Sequence, residues 1–551
     1  MKGRTRLIEL IDEAGIQTIF TLMSEDTMRM MSEIDNDWPG IEMVQTRHEQ
    51  CAVSMADGFA RATDEIGVAL VGRGPAIAQA GTGMVTARKK GSDVLVIVPT
   101  MPIFGTHDQK DFPQEDYLHN TIGEVAAVRS HETLVEVARE AIRQVRVGEG
   151  PLALQIPWDL LDSNMREDQL GSEPTVDVGD TAPGSVEPDS AAIEKAVDMY
   201  IDSAAFQPPV ILAGRGAVQA GAKDAIEEFA RRTSALLATS LQGRNYFQDH
   251  PFYLGFTGEW GHDIANKYAA ESQLVFAVGA SLNPYTTDEG HVFGEEGKVV
   301  HIDADLGNIE RYTDVDLGIH GDAKHTIEAL NEALEHEGID RDGELWTDDL
   351  RREIEEFDRL GDRDFDDVPG TMDPRDLMRT LNDLLPEDRK IVTGAGHHTR
   401  WVLDGIDVHP ADFTFPLDFA SIGLGLPMGI GTAVSTPDRP TAVITGDAGL
   451  TMSIQEFDTM VREDVPLTVV VVNDDSLGSE YHSMEAGGVD GSVSLVDSPD
   501  FASVAESFGA DGYTATSITE LEELSDVLGS HEGQQVIDCK VNYKVRHRSK
   551  M

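Results

Sequence analysis

Apolar residues recur along this chain in two rhythms. At helical spacing they run through Arg6 to Ala14 and again through Ala52 to Ala62. As short unbroken runs bounded by turn residues they occur at Thr18 to Leu22, Val68 to Val71, Val94 to Val98 and Leu152 to Ile156. Runs of that kind fit strands buried on both faces, and their alternation with helical segments predicts an α/β domain around a parallel sheet. From about Asp162 to Asp189 the pattern gives way to acids, Gly, Pro, Ser and Thr, which reads as a linker. A second set of runs follows at Val210 to Ala213, Leu236 to Thr239, Leu274 to Val278 and Val299 to Ile302. The acidic stretch from Glu344 to Asp367 is expected to be a helical connector or a second linker. A third set begins near Asp373, with strands expected at Ile391 to Thr393, Ala442 to Thr445, Leu467 to Val472 and Gln535 to Lys540, and a helix from about Ser453 to Arg462. The fold class expected is α/β, three doubly wound parallel-sheet domains over residues 1–165, 190–345 and 370–551.

Composition narrows the setting. A chain of 551 residues exceeds one ordinary core. No apolar run approaches the roughly 18 residues of a membrane span, and Met1 to Phe20 reads as a folded amphipathic segment with no secretory signal. The two cysteines, Cys51 and Cys539, make neither a disulfide framework nor a zinc-ligand spacing, which suits a cytoplasmic location. Asp and Glu total 99 against 43 Lys and Arg, a formal charge of −56. The acids are spread along the whole chain, so the charge reads as a solvated surface adapted to high salt, from a halophilic source. It argues against nucleic-acid binding.

The chemistry concentrates in the third set of elements. The strand Ala442 to Thr445 ends in Gly446-Asp447-Ala448-Gly449, and the next one ends in Asn473-Asp474-Asp475-Ser476. Both lie at carboxyl edges of what should be neighbouring parallel strands, where open α/β sheets bind ligands. Two carboxylates, small residues and a helix N-terminus at that edge suit a magnesium-bound diphosphate. Either half alone is a common strand-end turn. The combination carries the argument.

Together these segments resemble the thiamine-diphosphate (ThDP) enzymes, whose fingerprint is Gly-Asp-Gly followed some two dozen residues later by Asn-Asn. Asp447 and Asp474 stand 27 positions apart (474 − 447), the separation that family uses. The resemblance implies that Asp447, Asp474 and the Ser476 carbonyl hold Mg²⁺, with Gly446, Ala448 and Gly449 beside the diphosphate. Ala448 replaces the second Gly, a variant of the acetolactate-synthase branch, and Asp474 replaces the usual Asn. Gly396-His397-His398 resembles the loop that contacts the diphosphate from the other side. Phe419 to Pro427 resembles the segment under the cofactor's bend, so Ile422 would be its hydrophobic wedge and the Ala420 carbonyl would accept from the aminopyrimidine. For Ile422 the competing reading is plain core packing.

Arg47-His48-Glu49, followed by Ala52 to Arg61, resembles the family's catalytic-acid motif. Glu49 would then share a proton with N1′ of the aminopyrimidine. Its competing reading is a helix cap. In this family the acid and the metal site face each other across a subunit interface, so the resemblance implies a homodimer or a dimer of dimers. The first and third domains become the pyrimidine-binding and diphosphate-binding domains. The whole pattern looks most like an acetolactate-synthase large subunit acting on a 2-oxo acid, with a small regulatory subunit as a further partner. A non-ligating decarboxylase is the alternative: Glu480 lies six positions after Asp474 (480 − 474), where decarboxylases place a proton-handling Glu. Their first-domain His pair is absent, its nearest stand-ins being His107, Asp108 and Gln114. FAD, which the synthases hold near the stretch here reading Ala280 to Tyr285, is in doubt because the expected Arg is missing. Two more distant readings are a nucleotide-binding oxidoreductase, suggested by Gly214-Arg215-Gly216 but lacking Gly-x-Gly-x-x-Gly, and a non-catalytic ThDP-binding subunit, disfavoured by Glu49.

Overall fold

The computed structural model describes residues 1–63, 65–105, 107–148, 150–171, 185–203 and 207–548. Part of the expected first linker, residues 172–184, lies outside them. The described residues build three six-stranded sheets in which every pairing is parallel.

The first sheet comprises β1 (Thr18–Thr21), β2 (Glu42–Gln45), β3 (Gly67–Leu70), β4 (Val94–Thr100), β5 (Glu124–Ala127) and β6 (Leu152–Pro157), ordered β2-β1-β3-β4-β6-β5. The second has β7 (Val210–Ala213), β8 (Leu236–Thr239), β9 (Tyr253–Phe256), β10 (Leu274–Val278), β11 (Lys298–Asp303) and β12 (Leu317–His320), ordered β12-β11-β10-β7-β8-β9. That is the doubly wound order whose chain reversal falls between β7 and β10. The third has β13 (Lys390–Thr393), β14 (Phe413–Thr414), β15 (Thr441–Gly446), β16 (Leu467–Asn473), β17 (Asp511–Ala515) and β18 (Gln534–Lys540). Its order, β14-β13-β15-β16-β18-β17, repeats that of the first sheet strand for strand.

The chain divides into two compact units. One contains residues 1–182, 365–406 and 412–546, and so both the first and the third sheet; the other contains residues 183–364, 407–411 and 547–551, with the second sheet. Within the first unit one apolar core runs from Phe20, Val44 and Met55 to Met428, Val443 and Val469, and a second covers the other face of the first sheet around Leu7, Ile19, Leu95 and Leu154. The centre of the former is the crossing of two helices, Glu49–Ala62 and Gly425–Ser435. Backbones touch there: a Cβ on Gly58 would lie 2.2 Å from the Met428 carbonyl oxygen, and one on Gly431 would lie 1.9 Å from that of Met55. Only glycine permits this approach.

Two expectations change. The acidic connector is helical only over Asp348–Glu355. The expected helix at Ser453 to Arg462 is observed over Glu456–Arg462 and is preceded by a short helix, Asp447–Thr451, that starts on the Asp itself. The turn at Gly446 therefore places Asp447 within a first helical turn.

Candidate active site

β15 and β16 are adjacent and parallel, with Gly446 in register with Val472, so Asp447 and Asp474 emerge from neighbouring carboxyl ends. Asp447 is buried and accepts a hydrogen bond from the Ser498 hydroxyl at 2.6 Å. Asp474 is partly buried and accepts from the Ser476 amide at 3.0 Å and its hydroxyl at 2.8 Å. Burial pushes the Asp447 carboxyl up to about 6. Burial, and then the charge of Asp447, push Asp474 up to about 7. Among the described residues neither carboxylate makes an ion pair with a Lys or Arg, and no group of three or more His, Cys, Asp or Glu surrounds a common point. Two carboxylates thus repel each other in a largely buried corner. They fit an ion that takes two protein carboxylates and fills its shell with carbonyl, water and phosphate oxygens, as Mg²⁺ does.

Around this pair the backbone is pared down. The ring of buried His398 lies so close to Gly446 that a Cβ there would sit 2.8 Å from Nδ1. Burial drives the His398 imidazole down to about 4, so it is neutral. Gly396 precedes the helix His397–Gly405, which runs away from the site. The buried His397 ring lies 4.5 Å from that of His482. Ala448 and Gly449 belong to the first turn that Asp447 opens. Asn473, beside Asp474, turns inward and donates to Asp538 at 2.9 Å, which anchors the end of β16 to β18.

The segment between β14 and the helix Gly425–Ser435 carries the two remaining cofactor candidates. Ala420 is exposed and has φ +53°, a left-handed conformation unusual for alanine. Ile422 is 39% exposed, so the core-packing reading of this residue does not hold.

Glu49 is the first residue of its helix. The cap is His48, whose Nδ1 accepts the Gln50 amide at 3.1 Å. Capping therefore does not account for Glu49, whose side chain makes no hydrogen bond or ion pair among the described residues and joins neither Asp447 nor Asp474 within this chain. Glu480 is exposed on the helix Gly478–Ala486, again without such a partner. Two of the stand-ins for the His pair are engaged in structural contacts. Gln114 is buried between the Gly74 amide and the Pro99 carbonyl, and Asp108 pairs with Arg73, which Asp26 also holds.

Two residues escaped the sequence reading. Ser498 reaches Asp447 from an irregular loop, and its own amide is fixed by Asp475 at 2.9 Å. Glu456, fully buried, accepts from the Arg47 amide at 3.2 Å and the Thr459 hydroxyl at 2.6 Å, and so steadies the turn that presents Glu49. Neither has a local signature: Ser498 meets Asp447 across 51 residues and Glu456 meets Arg47 across 409.

Comparison with known proteins finds relatives over nearly the whole chain. Three family profiles match in order: "Thiamine pyrophosphate enzyme, N-terminal TPP binding domain" at residues 1–122, "central domain" at 193–330 and "C-terminal TPP binding domain" at 394–539. The chain is 29% identical to a probable acetolactate synthase large subunit of Methanocaldococcus jannaschii, over 97% of this chain and 90% of that one. It is 26% identical to the large subunit of acetolactate synthase isozyme 2 of Escherichia coli K12, over 98% and 96%. It is also 26% identical to the putative thiamine pyrophosphate-containing protein YdaP of Bacillus subtilis, over 96% and 90%.

Proposed function

The chain belongs to the thiamine pyrophosphate enzymes, and on that premise we propose that it is an acetolactate-synthase-like carboligase, which decarboxylates a 2-oxo acid and joins the remaining fragment to a second one, as pyruvate to 2-acetolactate. The observation that carries the site is the pair of carboxylates on adjoining strand ends, one of them directly after the glycine turn at Gly446. Asp447, Asp474 and the Ser476 carbonyl would hold Mg²⁺, and Gly446, Ala448, Gly449 and the Gly396-His397-His398 turn would flank the diphosphate. The bound cofactor supplies an electron sink for the decarboxylation.

The protein's own groups do the rest. The Ala420 carbonyl accepts from the aminopyrimidine, and the Ile422 side chain supports the bend. Glu49, without a partner among the described residues, holds and returns a proton at N1′ of a cofactor bound by a second copy. The working unit would then be a homodimer or a dimer of dimers, in the cytoplasm, with a small regulatory subunit as a further partner. The stretch Ala280 to Tyr285 does not fit FAD: it offers no cation, Leu282 is buried, and Asn283 is engaged with Ser281 and the Thr286 amide. No step runs through FAD.

A second reading is a non-ligating 2-oxo acid decarboxylase. It is favoured by Glu480, an exposed acid two residues into the helix that follows the metal-site turn. One experiment separates the two. The protein is incubated in high salt with ThDP, Mg²⁺ and a panel of 2-oxo acids, and CO2, aldehyde and 2-hydroxy-2-methyl-3-oxo acid products are scored separately. A ligated product is expected; aldehyde alone would favour the decarboxylase, and no CO2 from any acid would sink both.

A further inference from the structure

Arg61 is the last charged residue of the helix Glu49–Ala62, and its side chain is only 6% exposed. Nε and one terminal nitrogen donate to the two oxygens of Asp57, at 2.7 and 2.8 Å, one helical turn earlier. This i,i+4 fork fixes the plane of the guanidinium and aims its other nitrogen away from the helix. That nitrogen donates to the Phe415 carbonyl at 3.0 Å and to the Asp418 carboxylate at 2.9 Å. Arg61 thus grips, at two points three residues apart, the segment that leads to Ala420 and Ile422.

That segment needs holding. It has no strand or helix from Phe415 to Leu424, and its turn is closed by the Ala420 amide donating to the Leu417 carbonyl at 3.1 Å. Ala420 occupies the left-handed region there, which costs a non-glycine residue about 1–2 kcal/mol. Such a conformation persists only where its surroundings impose it. Phe419 and Ile422 are 45% and 39% exposed, so core packing does not impose it either. Asp57 and Arg61 come from the first sheet's helix and Asp418 from the third sheet's loop, all within one compact unit.

We propose that Arg61 is a positioning residue for the pyrimidine half of the cofactor site: through Asp418 and the Phe415 carbonyl it presets the ledge bearing Ala420 and Ile422 before the cofactor arrives. The proposal rests on the reading of those two residues as cofactor contacts. A preset ledge spares the cofactor the ordering of a strained turn, and it should matter for the pyrimidine end but not for the diphosphate end, which is anchored on other strands.

The test compares two ligands. Metal-replete wild-type protein, Asp418→Ala and the isosteric Asp418→Asn are titrated calorimetrically with ThDP and, separately, with inorganic diphosphate. Both variants should bind ThDP at least tenfold more weakly than wild type and inorganic diphosphate within twofold of it. Unchanged ThDP affinity overturns the proposal, as does a parallel loss of both ligands, which would mean general damage. Should Asp418→Ala fail to fold, Asp418→Asn decides alone, since it keeps the side-chain shape and removes only the charge. Wild-type protein that binds inorganic diphosphate but not ThDP would sink the functional reading, and the ledge with it.

Discussion

Glu49 and His48 divide the work at the start of one helix: the imidazole caps it, and the carboxylate is left without a structural duty. Glu49→Gln should therefore fold normally and bind ThDP within a few-fold of wild type while losing about 10²–10⁴ in turnover, the usual scale of acid–base catalysis. A mutant that turns over at the wild-type rate would remove Glu49 from the mechanism. The histidines beneath the site make a different prediction. His482 is buried and held down to about 4, as is His398. Groups whose folded pKa is depressed stabilise the protein above their ordinary value of 6.5 and lose that contribution as pH falls toward 4. At pH 5 a single such histidine costs on the order of 2 kcal/mol. Urea midpoints in high salt should fall between pH 7.5 and pH 5, and His482→Asn should flatten that fall; an unchanged slope would clear His482 of the role. At this scale the sequence singles out candidate residues by type and spacing but does not reveal their surroundings. Ile422 and Glu49 could each be read as structural from their neighbours in the chain. Only the observed exposure of Ile422 and the His48 cap removed those readings.

Every strand expected from the apolar runs is an inner strand of its sheet, and the strands that passed unnoticed are the edges. β2, β5, β9, β12, β14 and β17 each pair on one side only. An inner strand of a parallel sheet is covered on both faces and reads as a continuous apolar run, as in Val94–Thr100 and Leu467–Asn473. An edge strand is half solvated and mixes its residues: Glu42–Gln45 and Asp511–Ala515 each contain exposed positions that break the run. The same physics makes the helix crossing invisible in one dimension, since nothing near Gly58 announces Met428. The crossing is nonetheless testable. Gly431→Ala forces a methyl to within 1.9 Å of the Met55 carbonyl oxygen, while at Gly40 nothing lies within 4 Å of an added Cβ. Overpacking of this kind costs about 1–3 kcal/mol, so the urea midpoint of Gly431→Ala should drop well below that of Gly40→Ala. Equal midpoints would show that the helices part freely.

Across the whole molecule cations are scarce, and the structure shares them out. Arg231 alone faces Glu228, Asp340 and Asp342, and Arg4 and Arg29 both turn to Asp162. With 99 acids against 43 bases most carboxylates have no such neighbour, and their mutual repulsion acts over the roughly 10 Å Debye length of 0.1 M salt. Raising KCl from 0.1 to 3 M, where the screening length falls below about 3 Å, should raise the melting temperature steadily. A melting temperature that is flat or falling would count against adaptation to high salt.

The unit that holds both the first and the third sheet is assembled from pieces of chain far apart, with the second unit inserted between them. On the ribosome this sets a timetable. The N-terminal sheet emerges with the helix Glu49–Ala62 ready, yet the helix that must lie across it, Gly425–Ser435, is made more than 350 residues later (425 − 62), after the inserted unit. At about 5–20 residues per second the wait lasts on the order of tens of seconds, with an apolar helix face uncovered throughout. Nascent chains of this protein should therefore engage holding chaperones from about the time the first sheet leaves the exit tunnel and release them only near termination.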